Sequence, residues 1–116
     1  PYYFHRRDGR PFAFAGLWER WKQPDGRWLL SAAVITTEPN PLVSPVHDRM
    51  PVIVEPADYE RWLAPEALPP GMLDDVLVPA PDDPYELYPV SALANSPEND
   101  SPELVRRAEP IQGSLF

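Results

Sequence analysis

Hydrophobic and polar positions alternate along this chain in short segments that Gly, Pro and Asp separate. Residues 2–6 are rich in aromatic side chains, and residues 11–15 resume an extended apolar pattern. Between them, Asp8 and Gly9 form a typical turn pair. The pattern therefore predicts a β-hairpin over residues 2–15.

A second turn follows at residues 23–27, which contain a Pro-Asp-Gly sequence. Residues 16–21 lead into this turn with an extended pattern, and residues 28–37 leave it with apolar side chains on both faces. Strands that are apolar on both faces are typical of the interior of a domain. We therefore expect residues 28–37 to form a central, buried strand.

Proline positions divide the next part of the chain. Residues 38–45 contain three prolines, which donate no backbone hydrogen bond, so this stretch is expected to be a loop of fixed shape. Residues 46–54 return to β-forming side chains, with Pro51 at an edge or a bulge. Pro56 suits the first turn of a short helix, which ends before Pro65.

The remaining segments are short. Residues 72–78 indicate a brief helix, residues 85–90 alternate as one more strand, and residues 103–107 indicate a helical turn. Together the elements predict an α+β fold that is mainly β. We expect a strongly curved or partly barrel-like sheet around residues 27–37, with short helices outside it.

Length and composition favour one folded domain. The 116 residues suffice for a single core, and 43% of them are hydrophobic, including four Trp. The 18 prolines and 5 glycines imply many loops. No apolar run approaches the ~20 residues that span a bilayer, and residues 1–7 do not resemble a signal peptide. We therefore expect a soluble, cytoplasmic protein without membrane contact.

Cysteine is absent from the chain. This excludes disulfides, thiolate metal sites and thiol nucleophiles within these residues. Two His residues without Cys also make a poor set of metal ligands. The sequence therefore predicts no metal and no cofactor.

The net charge of -8 is unusual for a protein that binds phosphates. The charge is unevenly distributed, because residues 1–50 hold seven Lys and Arg against five Asp and Glu, whereas residues 51–116 hold three against thirteen. We therefore expect the first segment to face any nucleic acid and the acidic remainder to face solvent.

Residues 46–51 carry the most informative chemistry. His47 stands at the end of the proline-bearing loop, and Arg49 follows two positions later. A His side chain can exchange protons near neutral pH, and an Arg two residues along a strand projects to the same face and can hold a phosphate. In the alternative interpretation, which local chemistry by itself favours, His47 hydrogen-bonds a backbone carbonyl and Arg49 is a solvated charge.

The order of several segments resembles that of the SRAP (SOS response-associated peptidase) family. Residues 46–53 are similar to the family's histidine motif, and residues 35–37, a strand end that bears threonine, precede it at the matching distance. Residues 12–19, 59–63, 90–95 and 99–103 are similar to further stretches of the family. The resemblance therefore extends over nearly the whole chain.

The resemblance implies a DNA-repair enzyme whose partner is single-stranded DNA that contains abasic sites. In the family, removal of the initiator Met exposes an N-terminal Cys, which forms a stable thiazolidine with the ring-opened sugar. His47 matches the His that assists sugar opening and proton transfer, so it is the expected catalytic residue. Arg49 matches an Arg on the path of the DNA phosphates, and Thr36 matches a small polar residue near the active site, so both are expected to contact DNA.

Several functional residues of the family have no match in this chain. The Cys, an early Arg and Asn, and the Glu of a Gly-aromatic-aromatic-Glu-Trp segment would all precede Pro1. Glu19 matches a later Trp-Glu segment and is expected to be structural, and Glu98 stands where a basic residue would favour DNA. We therefore interpret residues 1–116 as the C-terminal part of a single SRAP domain, inactive by itself. The alternative is a non-catalytic nucleic-acid or protein interaction module on the same scaffold.

Overall fold

A computed structural model describes residues 1–109. These residues form eight short strands, one four-residue α-helix and three 3-10 helices. The strands are β1 (Tyr2–Arg6), β2 (Ala13–Phe14), β3 (Gly16–Lys22), β4 (Trp28–Val34), β5 (Thr36–Thr37), β6 (Met50–Pro51), β7 (Ile53–Val54) and β8 (Tyr85–Pro89). The α-helix is α1 (Tyr59–Trp62), and the 3-10 helices are Pro56–Asp58, Ala92–Asn95 and Pro102–Val105.

The strands pair two by two, all antiparallel: β1 with β8, β2 with β7, β3 with β4, and β5 with β6. The prediction of a mainly β fold with short helices is therefore confirmed. The curved or partly barrel-like sheet is not confirmed, because within residues 1–109 the strands form four separate pairs and no closed sheet.

Three single residues link three of these pairs through a ring of backbone hydrogen bonds. Ala15 separates β2 from β3, Ile35 separates β4 from β5, and Val52 separates β6 from β7. Ala15 N–H donates to Val52 O at 2.8 Å, Ile35 N–H to Ala15 O at 2.9 Å, and Val52 N–H to Ile35 O at 2.9 Å. We call these residues the hub, since three strand pairs extend from it in different directions.

The predicted hairpin over residues 2–15 is wrong, although its turn is confirmed. Gly9 adopts φ +75° and its N–H donates to Arg6 O at 3.1 Å, as a turn requires. However, β1 pairs with the distant β8, where Phe4 lies opposite Leu87. The physical reason is aromatic packing, because Phe4 stacks on the fully buried Tyr85 with ring centroids 5.0 Å apart.

The second turn is confirmed, but the buried central strand is not. Gln23 N–H donates to Arg27 O at 2.7 Å across the turn that joins β3 to β4. Strand β4 then ends at Val34 rather than at residue 37, and both faces of the β3–β4 hairpin are exposed. Leu30 is 68% exposed on one face and Leu29 is 47% exposed on the other. The apolar sequence of β4 therefore predicts a buried strand, but no other part of residues 1–109 covers it.

Two small clusters form the core. The first contains Val43, Met50, Ile53, Ala80 and Tyr85, and the second contains Ala15, Val52, Val54 and Val76. Burial raises the pKa of the Tyr85 hydroxyl above its ordinary value, and the Glu55 carboxylate that accepts its hydrogen bond adds to this effect. Helix α1 contributes Tyr59 and Trp62 to the second cluster.

The loop at residues 38–45, the strand at residues 85–90 and the short helix after Pro56 are confirmed, and a 3-10 helix occupies most of residues 103–107. The helix expected at residues 72–78 is wrong, because the chain forms successive turns there. Arg61 holds these turns by donating to both Asp75 carboxylate oxygens at 2.7 and 3.0 Å, which lowers the pKa of Asp75.

Within residues 1–109, no helix is long and apolar enough to cross a membrane.

The exposed hairpin generates a prediction about self-association. Trp18 and Leu30 are 75% and 68% exposed, and their register places them on the same face of the β3–β4 pair. We expect the chain to elute from size-exclusion chromatography as an oligomer, because exposed apolar strands associate. Replacing both residues by Thr should shift it towards monomer, whereas the control Leu63→Thr, which changes an equally exposed residue outside the hairpin, should not. A monomeric unaltered chain that unfolds cooperatively would contradict this expectation.

Candidate active site

The loop that follows β5 folds as a series of tight turns. Asn40 O accepts hydrogen bonds from Val43 N–H at 3.1 Å and from Ser44 N–H at 2.9 Å. Val43 O then accepts from Val46 N–H at 2.9 Å and from His47 N–H at 3.0 Å. The backbone of His47 is thereby fixed at the end of the last turn, as expected for a proline-bearing loop.

The His47 ring lies at the surface, with 66% of its side chain exposed. Its Nδ1 accepts a hydrogen bond from Arg49 N–H at 3.0 Å, and an Asp48 carboxylate oxygen lies 3.4 Å from the same atom. A neutral ring whose Nδ1 accepts must carry its proton on Nε2. When both nitrogens are protonated, Asp48 is available to accept from Nδ1. Nδ1 therefore has a hydrogen-bond partner in both states, Arg49 N–H when the ring is neutral and Asp48 when it is charged. Nε2 is left free to exchange a proton with a ligand.

Arg49 is oriented by Thr36 rather than by an acidic partner. Its Nη2 donates to Thr36 O at 2.9 Å and to Thr36 Oγ1 at 3.1 Å, and its Nε donates to Oγ1 at 3.3 Å. Within residues 1–109, no carboxylate pairs with Arg49, so its charge is not neutralised there. A guanidinium held in this way retains Nη1 donors for an anion.

The structure brings His47, Arg49 and Thr36 together around one groove. The groove is open, has a volume of about 330 Å³ and contains all three residues in its lining. His47 lies at the end of the loop, as expected, but the expected strand position of Arg49 is wrong, because Arg49 also precedes β6. Their proximity comes from the Arg49 N–H that donates to the His47 ring.

The rest of the groove lining is apolar. It consists of Phe4, Phe14, Val43, Met50, Pro51, Ile53 and Leu87. Sequence reasoning did not place Phe4 and Leu87 here, because their contribution depends on the pairing of β1 with β8. The alternation within residues 2–6 indicates that Phe4 points away from Tyr3, but it does not indicate which groove Phe4 faces.

Several charged residues of the first segment have partners of their own. Arg6 donates to both carboxylate oxygens of Asp8, which lowers the pKa of Asp8 to about 2. His5 lies 3.2 Å from a Glu86 carboxylate oxygen. Glu19 lies on β3 opposite Ser31, away from the groove lining. Among residues 1–109, no group of three His, Asp or Glu side chains is placed to hold a metal ion.

Solved structures contain the same fold. A crystal structure of a protein from Bacteroides thetaiotaomicron aligns with 94% of this chain at a TM-score of 0.82 and 29% identity, and the alignment covers 48% of that protein. A second, from Bordetella bronchiseptica, aligns with 75% of this chain at a TM-score of 0.65 and 33% identity, and the alignment covers 43% of that protein.

Sequence comparison defines the family. Residues 1–97 match the family described as SOS response associated peptidase (SRAP). The chain is 48% identical over 94 residues to the abasic site processing protein YoqW of Bacillus subtilis, and 32% identical over 99 residues to the abasic site processing protein HMCES of Gallus gallus. The chain therefore belongs to the SRAP family. It spans 42% of the length of YoqW and 29% of the length of HMCES.

The hydrogen bond at Nδ1 predicts the tautomer of His47. In its neutral form the ring should carry its proton on Nε2, because Nδ1 accepts from Arg49 N–H. Imidazole ¹⁵N chemical shifts of the neutral ring measure this directly, with a pyridine-like Nδ1 and a pyrrole-like Nε2 as the expected result. A ring protonated mainly on Nδ1 would contradict the described geometry.

Proposed function

We propose that this chain belongs to a DNA-repair protein that binds single-stranded DNA and processes abasic sites. Two observations support the proposal. The relatives that match most of the chain are named abasic site processing proteins. In addition, an exposed imidazole and a guanidinium without a carboxylate partner in residues 1–109 line the same open groove. The second observation carries the proposal for this chain, because it concerns its own residues.

His47 is the catalytic residue in this proposal. An abasic deoxyribose must open its ring before an amine or thiol can attack the aldehyde, and opening requires a proton at the ring oxygen. In the doubly protonated His47 ring, Nδ1–H donates to Asp48, which lies within 3.4 Å, and Nε2–H gives its proton to the ring oxygen as the C1–oxygen bond breaks and the anomeric hydroxyl loses its proton to water. The neutral ring then exchanges protons with water and returns to the Nε2–H tautomer, in which Nδ1 accepts from Arg49 N–H. General acid catalysis of this kind typically contributes about 10²–10⁴ in rate.

Arg49 and Thr36 form the DNA-binding part of the site. Thr36 fixes the plane of the guanidinium through its carbonyl and hydroxyl oxygens, so that Nη1 can donate to a backbone phosphate. The contact of Thr36 with DNA is then mainly indirect, through the orientation of Arg49. The groove next to both residues has room for the sugar that lacks a base.

We place residues 1–116 in the C-terminal part of a single SRAP domain. The chain spans less than half of the curated relatives, and Trp18, Trp21 and Trp28 are more than half exposed. In this proposal an N-terminal portion covers the β3–β4 hairpin and extends the small sheets into a more closed one. It also supplies the Cys whose amine and thiol form the thiazolidine, after autoproteolytic removal of the initiator Met. Residues 1–116 alone are then inactive.

The experiment has two stages. The genomic sequence upstream of Pro1 is read for a Met-Cys-Gly-Arg start and a Gly-aromatic-aromatic-Glu-Trp segment. The protein with that portion is then incubated with a single-stranded oligonucleotide that contains one abasic site, and covalent adducts are separated on a denaturing gel. An adduct with the abasic strand but not with the undamaged strand is expected. Binding of both strands without any adduct would favour a non-catalytic interaction module instead.

Replacing His47 and Arg49 separates catalysis from binding. We expect His47→Ala to slow crosslinking about 100-fold while leaving affinity for undamaged single strands nearly unchanged. Arg49→Ala should weaken both and lower the slope of log affinity against log salt by about 1, because one phosphate contact is lost. His5→Ala is the matched control, since His5 does not line the groove. Equal effects of the two substitutions would contradict this division of roles.

A further inference from the structure

Asn40 is the one buried polar residue within residues 1–109, with 4% of its surface exposed. Both the nitrogen and the oxygen of its side-chain amide are hydrogen-bonded. Nδ2 donates to Ala80 O at 2.9 Å, and Oδ1 accepts from Val43 N–H at 3.0 Å. The side chain therefore connects the loop that bears His47 to a distant segment of the chain.

The backbone of Asn40 closes the base of the same loop. Its N–H donates to the Met50 sulfur at 3.2 Å, and Met50 itself is 3% exposed within the first core cluster. A neighbouring contact strengthens the attachment, because Leu42 N–H donates to an Asp82 carboxylate oxygen at 3.4 Å. The loop over residues 40–50 is thus held at its start, at its end and against residues 80–82.

These contacts lead directly to His47. Ala80 O accepts from the Asn40 side chain, whose Oδ1 in turn accepts from Val43 N–H. Val43 O then accepts from His47 N–H at 3.0 Å. Asn40 itself does not line the groove, so it acts on the imidazole through the backbone that carries His47.

We propose that Asn40 is a positioning residue for His47, holding the imidazole at the groove through a buried hydrogen-bonded relay from Ala80. This inference rests on the proposed function, in which His47 is the catalytic residue. A buried amide suits the task because it donates and accepts at once, and the neighbouring carbonyl and N–H need one of each. A hydrophobic residue of similar size leaves Ala80 O without its donor and leaves Val43 N–H with only the Asn40 backbone carbonyl, so the loop rearranges to hydrate Ala80 O.

The first test measures the position of His47 without any activity. Asn40→Ala is introduced into the full chain, and the imidazole ¹⁵N shifts and amide hydrogen exchange are recorded by NMR. We expect faster exchange of the Val43 and His47 amides and a mixture of His47 tautomers. His5 serves as an internal reference, because it is the other His of the chain and its contacts are with Arg6 and Glu86. Its signals should not move.

Two further variants keep the test decisive if Asn40→Ala folds poorly. Asn40→Asp retains the size and the acceptor towards Val43, but its carboxylate turns an oxygen instead of a donor towards Ala80 O, so it should also produce these changes at His47. Val76→Ala is the matched control, because it creates a cavity in the second core cluster, which does not contain the loop. It should lower the melting temperature while leaving the His47 signals unchanged.

The second test measures reaction in the longer protein that forms the adduct. Because small displacements of a reacting group are costly, Asn40→Ala should slow crosslinking about tenfold or more at saturating DNA, with affinity for undamaged single strands unchanged. If the unaltered protein forms no adduct, the proposed function fails, and the NMR comparison still decides the role of Asn40. Unchanged His47 signals in folded Asn40 variants would overturn the inference. So would a loss of rate no larger than that of Val76→Ala.

Discussion

The ring of backbone hydrogen bonds among Ala15, Ile35 and Val52 determines how the rest of the chain is arranged. Each of these residues interrupts a strand, so each extended segment changes direction and changes partner at the same point. Ala15 and Val52 are almost completely buried, where an unpaired backbone group would be costly by about 1–3 kcal/mol. In the hub, the N–H of each residue donates to the carbonyl of another hub residue. Three strand pairs can therefore meet at this buried position without leaving these N–H groups unpaired. The β5–β6 pair, which contains Thr36, is one of them.

The site is a consequence of this arrangement together with the loop of residues 40–50. The hub sets Ile35 against Val52, and the register that follows places Thr36 opposite Pro51. Arg49, just before β6, then reaches the carbonyl and hydroxyl of Thr36. The loop turns back on itself, so that His47 returns to the same groove and receives the Arg49 N–H. His47 and Arg49 thus come from one short segment, and the core holds both ends of that segment.

The β3–β4 hairpin shows the opposite situation, an apolar surface without a neighbour in the described residues. Its cross-strand contacts are satisfied within the pair, and Arg20 lies over the Trp28 ring at 4.3 Å from its centroid. These contacts stabilise the hairpin but leave large side chains exposed on both faces. The solved structures that share the fold are about twice as long as the aligned region. The apolar sequence of β4 would suit a larger core than the one that residues 1–109 form.

The sequence by itself determined the turns, the proline-bearing loop, the short helix after Pro56 and the family. These depend on local rules, because Gly9 and Gly26 adopt positive φ angles that other residues avoid and Pro removes a donor wherever it stands. The sequence also pointed to His47, Arg49 and Thr36 as candidate site residues, because the stretches that resemble the family contain them. Only the tertiary structure decided that β1 pairs with β8, that β4 is exposed, and that Asn40 lies buried beneath the loop. Those features depend on hydrogen bonds and aromatic contacts between segments that are distant in the sequence. Local patterns do not indicate which of these segments pair with each other.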